Sequence, residues 1–276
     1  MGTSKLKQKP EAKQAFLASH PVFTLDEFYA ASRGSKTSRQ ATMRRLRYAV
    51  RRGRLKFLER GFYAVVPPGM EADRFTPDRF LVAATLRPDA VLAYHSALDL
   101  LGLAHSVYRD VFYLTARPRK DVRLAGGRVR ALRHPKPLRA RGAENFGVET
   151  HERAGVKLRL TGAERTLVDS FLLPRYAGGI DEVIEAARSV AALDLDRLEH
   201  YLTLLDQRRA FAIMGFVLEQ AAERLFVPDA LLDRLAAQRP IARIYLDKRQ
   251  RGGRLQPRWN LIVPERWAPG AVRADV

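Results

Sequence analysis

The sequence predicts an α+β protein in two parts: an N-terminal domain over residues 1–68, and a C-terminal domain over 69–276 that is mixed α/β and rich in helices. Three observations predict it. Helical and strand periodicities are mixed without the regular alternation of a doubly wound sheet. The first quarter ends in two successive helices and a short hairpin. Positive charge is concentrated there: between Arg33 and Arg60 eleven Lys/Arg accompany a single acid, Glu59. Residues 1–66 hold 15 basic and 4 acidic side chains, 67–160 hold 17 and 10, and 161–276 hold 17 and 16. An excess packed into one short helix-helix-hairpin unit is the footprint of a winged helix-turn-helix that grips a polyanion.

The elements follow from local chemistry. Glu11 to Ser19 forms a first helix. Thr24 is the N-cap of a second over Leu25 to Ser32, because Glu27 falls at the third helical position and completes a capping box. Gly34 ends it. Thr37 or Ser38 caps a third helix, in which Thr42/Met43, Leu46, Ala49 and Val50 share one face, and Gly53 sits just past its C-terminus. Two β-prone runs, Arg54 to Leu58 and Phe62 to Val66, flank Glu59-Arg60-Gly61, a hairpin with glycine where positive φ is wanted. That hairpin is the expected wing. Pro67-Pro68-Gly69 closes the unit, since proline cannot donate into a continuing sheet.

Beyond Pro77 a helix is expected over Asp78 to Leu86 and another from His95 or Ser96. Strands are expected at Val111 to Thr115, Arg128 to Leu132 and Val156 to Leu160. Thr161 and Glu164 form a second capping box ahead of Leu167, Val168, Phe171 and Leu172. Helices follow over 180–190, 195–205, 209–226 and 229–238. Two late β-prone runs, Ile244 to Asp247 and Trp259 to Val263, are expected to return to the sheet of the middle region.

Composition bounds the class. With 276 residues and 46% hydrophobic side chains the chain can bury a core without staples. Zero cysteines remove any disulfide framework, Cys-zinc site or thiol nucleophile and agree with a reducing compartment. Met1 to Pro10 is polar and lysine-rich with no apolar core behind it, and no run approaches the length of a membrane span. A soluble, cytoplasmic protein is expected. A net charge of +19 would also suit an anionic membrane surface. However, no helix pairs a basic face with a long apolar one and interfacial Trp, so no membrane partner is expected.

With Leu46 at the buried centre of the third helix, the roughly 100° step per residue puts Thr37, Gln40, Ala41, Arg44, Tyr48 and Arg51 on the opposite face. Arg44 can donate two bonds to guanine O6 and N7, Gln40 can pair with adenine N6 and N7, and Ala41 can touch a thymine methyl. Arg45, Arg47 and Arg52 on the flanks, with Arg54 and Lys56, are placed on phosphates. Arg60 at the wing tip can enter a minor groove. Ser38 and Arg39 at the helix start complete the expected DNA-binding set. A merely solvated face would alternate signs, as this one does not. A single-strand RNA platform would need exposed rings. Phe57, Phe62 and Tyr63 fall at hairpin positions expected to pack on helices, leaving only Tyr48.

The run Ser38-Arg39-x-x-x-x-Arg44-Arg45-Leu46, with Arg51-Arg52-Gly53-Arg54-Leu55 and Arg60-Gly61-Phe62-Tyr63, resembles the N-terminal domain of AbiEi-type antitoxins of type IV toxin-antitoxin systems. His95-Ser96-Ala97-Leu98 with Gly102-Leu103, Glu164-Arg165-Thr166-Leu167-Val168-Asp169, Gly178-Gly179 and Trp259-Asn260-Leu261-Ile262-Val263-Pro264 are similar to later patterns of that family. The resemblance thus covers nearly the whole chain. Each motif alone is weak; their order across two domains is specific. The resemblance implies a repressor that binds inverted repeats of double-stranded DNA in its own promoter, with a C-terminal domain that helps counter a toxin. It implies a nucleotidyltransferase-like toxin as functional partner, without a stable complex. The arginine-rich stretch Arg117 to Arg141 does not match the family residue by residue.

No Gly-x-x-x-x-Gly-Lys-Ser/Thr, His-Glu-x-x-His or Gly-x-Ser-x-Gly occurs, so no catalytic residue, metal or cofactor is expected. Asp194-Leu195-Asp196 imitates the metal pair of a nucleotidyltransferase but lacks the preceding Gly-Ser. Asp194 is better placed as the cap of a helix containing Leu198, Tyr201 and Leu202. Glu11-Ala12-Lys13 matches the tail of a nuclease motif without its upstream Pro-Asp. Asp169 pairs with Arg165 at i, i+4. His95 takes a helix N-terminal position or partners a buried carbonyl. The alternative function is a nucleic-acid-modifying enzyme, a nucleotidyltransferase or nuclease, targeted by a winged helix.

Overall fold

The computed structural model describes residues 8–32, 38–124, 126–249 and 251–268, with side chains from Lys13 onward. The N-terminal third holds α1 (Gln8–Ser19), β1 (Val22–Thr24), α2 (Leu25–Ala31), α3 (Arg39–Arg51), β2 (Leu55–Glu59), β3 (Phe62–Val65), α4 (Arg79–Leu86) and β4 (Val91–Leu92). Then come α5 (His95–Leu100), β5 (Val111–Leu114), β6 (Val122–Leu124), β7 (Gly127–Leu132), α6 (Lys136–Arg141), β8 (Val148–Arg153) and β9 (Val156–Thr161). The remainder holds α7 (Ala163–Leu172), α8 (Ile180–Ser189), α9 (Leu195–Leu205), α10 (Arg208–Gln220), α11 (Ala222–Leu225), α12 (Asp229–Ala237), β10 (Ile244–Tyr245), β11 (Arg254–Gln256) and β12 (Leu261–Val263). The class is α+β.

Two compact units divide these elements. The first takes the described residues up to Leu92 together with Arg109–Leu132 and Thr150–Leu160; the second takes Ala93–Tyr108, Arg133–Glu149 and the described residues from Thr161 on. The described residues up to Pro68 therefore share a unit with the strands of the middle region.

In the first unit, β1, β3 and β2 form an antiparallel sheet in that order. An apolar cluster of Phe16, Phe23, Leu25, Phe28, Leu46, Leu55 and Tyr63 locks α1, α2 and α3 onto it. The rings interlock, with the Phe16 centroid 5.5 Å from both Phe23 and Phe28 in edge-on geometry. Thr24 and Glu27 close the expected capping box on α2: Glu27 N donates to Thr24 Oγ1 at 3.1 Å and Thr24 N to Glu27 Oε2 at 2.7 Å. The expected stop at Gly34 lies outside the described residues. Gly53 (φ +68°) follows α3, and Gly61 (φ +85°) turns the hairpin.

A second, six-stranded mixed sheet runs β6-β7-β5-β4-β9-β8. β5 sits between parallel β7 and antiparallel β4, and its four residues are buried, as the apolar run Val111–Leu114 requires. Helix α4, capped by Asp78 Oδ1 on the N–H groups of Phe80 and Leu81, packs against β4, β5 and β7. Strands β1, β4, β6 and β8 were not foreseen, three of them being only two or three residues long.

The second unit corrects three expectations. Thr161 ends β9 and does not cap α7; Gly162 occupies that position. The Thr161 hydroxyl instead meets Thr166 Oγ1 at 2.6 Å, and Glu164 accepts the Asp194 N–H at 2.8 Å. The helix expected over 209–226 breaks at Ala221, whose N–H reaches back only to Leu218 O. Finally, the late β-prone runs supply β10 and β12, which with the unforeseen β11 form a separate sheet, β10-β12-β11, rather than returning to the six-stranded one. Trp259 is not in a strand: it occupies a 3₁₀ turn, fully buried, with its indole N–H on Glu219 Oε2 at 2.7 Å.

Candidate nucleic-acid interface

Helix α3 presents two faces. Thr42 and Leu46 are buried, and Met43, Ala49 and Val50 pack against the apolar cluster. Gln40, Arg44, Tyr48 and Arg51 are exposed opposite them, with Ala41 half-buried. The helix phase expected around Leu46 is thus the observed one. Arg45, Arg47 and Arg52 are exposed on the flanks, Arg54 just beyond the helix, and Arg60 at the hairpin turn.

Other members of the expected set are already engaged. Ser38 Oγ accepts the Ala41 N–H at 3.2 Å and caps α3. Arg39 pairs with Asp26 at 2.8 Å on the surface. The half-buried Lys56 donates its ammonium to the Phe75 carbonyl. Thr37 lies outside the described residues. Glu59 is held by Arg119, whose guanidinium also lies 5.0 Å over the Phe62 ring.

Within the first unit an open cleft of roughly 1600 Å³ is bounded by the start of α2, one flank of α3, the β2–β3 hairpin and the end of α4. Arg39, Arg44, Arg47, Arg51 and Arg60 line it with Phe57. Phe57 corrects another expectation: it is 53% exposed instead of packing on a helix. Strand β2 changes register against β3 between Phe57 and Glu59, and the Phe57 ring meets the Tyr63 ring in T-shaped geometry, at 5.9 Å between centroids. Tyr48 is 57% exposed, while Tyr63 is buried. Burial raises the Tyr63 hydroxyl pKa, and the Arg47 charge pulls it partly back.

The Arg165, Asp169 and His95 motifs of the second unit are internal. Arg165, buried, donates through Nη1 to the carbonyls of Glu144 (2.7 Å) and Phe146 (2.6 Å). Its Nη2 lies 3.1 Å from His134 Nδ1, and its Nε 3.5 Å from the Asp169 carboxylate, the expected i, i+4 pair. Asp169 accepts the Tyr201 hydroxyl at 2.6 Å. Burial pushes the Asp169 carboxyl up, with Arg165 and the Tyr201 hydrogen bond pulling it back. Burial, and then the Asp169 charge, push the Tyr201 hydroxyl well above its ordinary value. His95 opens α5, buried, with Nε2 3.5 Å from Glu182 Oε1 and 3.4 Å from Ser106 Oγ. Asp194 caps α9 as expected, accepting the Arg197 N–H at 2.9 Å. Among the described residues no group of three or more His, Asp or Glu is placed to hold a metal, and no helix is long and apolar enough to cross a membrane.

Sequence reasoning missed Arg119 and the exposure of Phe57. The only available signal was the arginine-rich run itself, which no local rule attaches to the hairpin.

No protein-family model matches the chain, and no curated protein matches its sequence. Among solved structures it is similar to the crystal structure of the RV2827C protein from Mycobacterium tuberculosis, with a TM-score of 0.58 and 19% identity, over 93% of this chain and 91% of that one. At this identity the likeness shows the fold alone.

Proposed function

We propose that this chain is a DNA-binding transcriptional repressor that serves as the antitoxin of a toxin-antitoxin pair. Its residues 1–68 act as a winged helix-turn-helix on inverted repeats in its own promoter. The observation that carries the reading is the exposed face of α3, where Gln40, Arg44, Tyr48 and Arg51 stand free of the apolar cluster that fixes the helix. In this reading α3 enters the major groove, with Gln40 and Arg44 on base edges. Arg45, Arg47, Arg52 and Arg54 grip phosphates, and the β2–β3 hairpin is the wing, with Arg60 at a minor groove. Lys56, tied to Phe75, supports the hairpin. The protein works in the cytoplasm, without a cofactor and without catalysis of its own. The similarity of the motifs to AbiEi-type antitoxins supplies the second half of the reading: opposition to a nucleotidyltransferase-like toxin without a stable complex.

The test is a Gln40→Ala/Arg44→Ala double variant of the full chain. We expect it to lose repression of its own promoter, yet to protect cells when the neighbouring toxin gene is expressed from an unrelated promoter. A folded, normally expressed double variant that fails to protect there refutes the division of labour. The exposed Phe57 ring in an arginine-lined cleft favours a second reading, single-strand nucleic-acid binding by stacking. Tighter binding of an unstructured oligonucleotide than of the promoter duplex would support that reading over the first.

A further inference from the structure

Residues 117–141 carry ten basic side chains and one acid, Asp121, a density close to that of the α3–hairpin stretch. The part up to Leu132 belongs to the same compact unit as α3. Arg119 is the joint between them. Its guanidinium pairs with Glu59 at the end of β2 and stacks over Phe62 at the start of β3. Glu59 is the sole acid between Arg33 and Arg60. One contact therefore pairs the sole acid of the Arg33–Arg60 stretch and pins the arginine-rich segment beside the hairpin turn.

Around that joint, Arg117, Lys120 and Arg123 are exposed, and among the described residues no hydrogen bond or ion pair engages their side-chain nitrogens. Consecutive Cα atoms are about 3.8 Å apart, so all three lie within about 15 Å of Arg119, a reach of a few phosphates. Register adds a further sign. Arg123 on β6 faces Arg128 on β7 across an antiparallel pair, and like charges directly opposite destabilise a sheet. Asp110 meets Arg128 at 3.0 Å, and among the described residues no comparable partner meets Arg123. A charged edge strand also deters pairing between sheets. That role does not require the segment to dock on the hairpin through Arg119.

We infer that Arg117, Lys120 and Arg123 form a second phosphate-gripping surface beside the hairpin, extending the duplex contact beyond residues 1–68. This rests on the DNA-binding reading above. Arg119 is a positioning residue that sets the surface against the hairpin.

The experiment uses the full chain and a duplex spanning its own promoter, with a random duplex alongside. A triple variant, Arg117→Ala/Lys120→Ala/Arg123→Ala, should lower the slope of log K against log salt by about 2 to 3, since each phosphate contact adds about 0.9. It should weaken promoter and random duplexes alike and shorten the hydroxyl-radical footprint on one side. A charge-matched control in the second unit, Lys248→Ala/Arg249→Ala/Arg251→Ala, should leave slope and footprint unchanged. A triple variant with the wild-type slope and footprint, or a control that loses as much, overturns the inference while leaving α3 binding in place. Loss confined to single-stranded RNA overturns it in favour of another ligand. Wild-type protein that binds neither duplex overturns the DNA-binding reading itself.

Discussion

Separating side chains that grip from side chains that read is the sharpest test of the proposed interface. Among the described residues Arg44, Arg51, Arg52, Arg54 and Arg60 are exposed on α3 and the hairpin with no hydrogen bond or ion pair to their guanidinium groups. Arg45 and Arg47 add two further exposed positions. If four to six of these, Arg44 being reserved for base edges, neutralise phosphates, this surface alone contributes a salt slope of about −3.5 to −5.5. Arg52→Ala removes one contact, so the slope should fall in magnitude by about 0.9. Between 50 and 200 mM salt the variant's affinity deficit should then shrink by about 3.5-fold, equally on promoter and random duplexes. Gln40→Ala and Arg44→Ala should each reduce promoter preference by about 1 to 3 kcal/mol, roughly 5- to 150-fold. Lys56→Ala supplies the internal control. Its ammonium is spent on the Phe75 carbonyl, so it should lower stability by about 1 kcal/mol and leave the slope alone. Fluorescence anisotropy titrations over a salt series measure all four. Equal losses on specific and random DNA for Gln40→Ala, Arg44→Ala and Arg52→Ala would show that the exposed face of α3 does not read bases. A wild-type slope near zero would remove phosphate gripping altogether.

Other consequences follow from the second unit. Gly215 lies in α10, where alanine is intrinsically favoured by about 1 kcal/mol. A Cβ there would overlap ring atoms of Trp259, which is fully buried and hydrogen-bonded to Glu219, so Gly215→Ala should lower stability by about 1 to 2 kcal/mol net; an unchanged or raised melting temperature would refute the packing. Asp169→Asn leaves the Arg165 guanidinium buried without its countercharge and should cost about 3 to 5 kcal/mol in urea unfolding; a loss under about 1 kcal/mol would show that the carbonyls of Glu144 and Phe146 suffice. The hydrogen bond from Arg234 holds the Glu199 carboxyl below its ordinary value. A lowered carboxyl stabilises above the unfolded pKa of about 4.3 and loses that effect as pH falls through the folded value. The melting-temperature gap between wild type and Glu199→Gln should therefore be small at pH 7 and close below pH 4; a gap that widens in acid would contradict the pairing.

What the sequence disclosed was whatever short-range chemistry determines. Thr24 with Glu27, Ser38 with Ala41 and Gly53 with Val50 each act within four residues, the positive φ of Gly61 is a property of the turn itself, and the expected phase of α3 needed only the spacing of Thr42, Leu46, Ala49 and Val50. Failures occurred where tertiary context overrode local composition. Thr161 has the composition of a cap, but it ends a strand and its hydroxyl goes to Thr166. Phe57 has the composition of a core residue, but the register change after it in β2 leaves its ring in the open cleft. The late β-prone runs were recognisable as strands, yet sheet membership is settled by pairing, here Ile244 with Leu261 and Leu255 with Ile262.

The same distinction explains why one half of the proposed surface was legible and the other was not. Helix α3 and its hairpin are contiguous in sequence, so a local charge count and a helical wheel locate both. The stretch after β5 shows the same charge, but charge alone cannot say where a segment lies. Its position is fixed by the parallel pairing of β5 with β7, Val111 on Val129 through Leu114 on Leu132, and by one ion pair between residues sixty positions apart, Arg119 and Glu59. If that ion pair sets the surface, Glu59→Gln should weaken the docking of the segment even though it adds to the net positive charge. A simple charge count would have Glu59→Gln tighten duplex binding, whereas positioning by Arg119 would have it weaken that binding and shorten the footprint on the hairpin side. Those opposite signs make Glu59 the residue at which composition and geometry can be told apart.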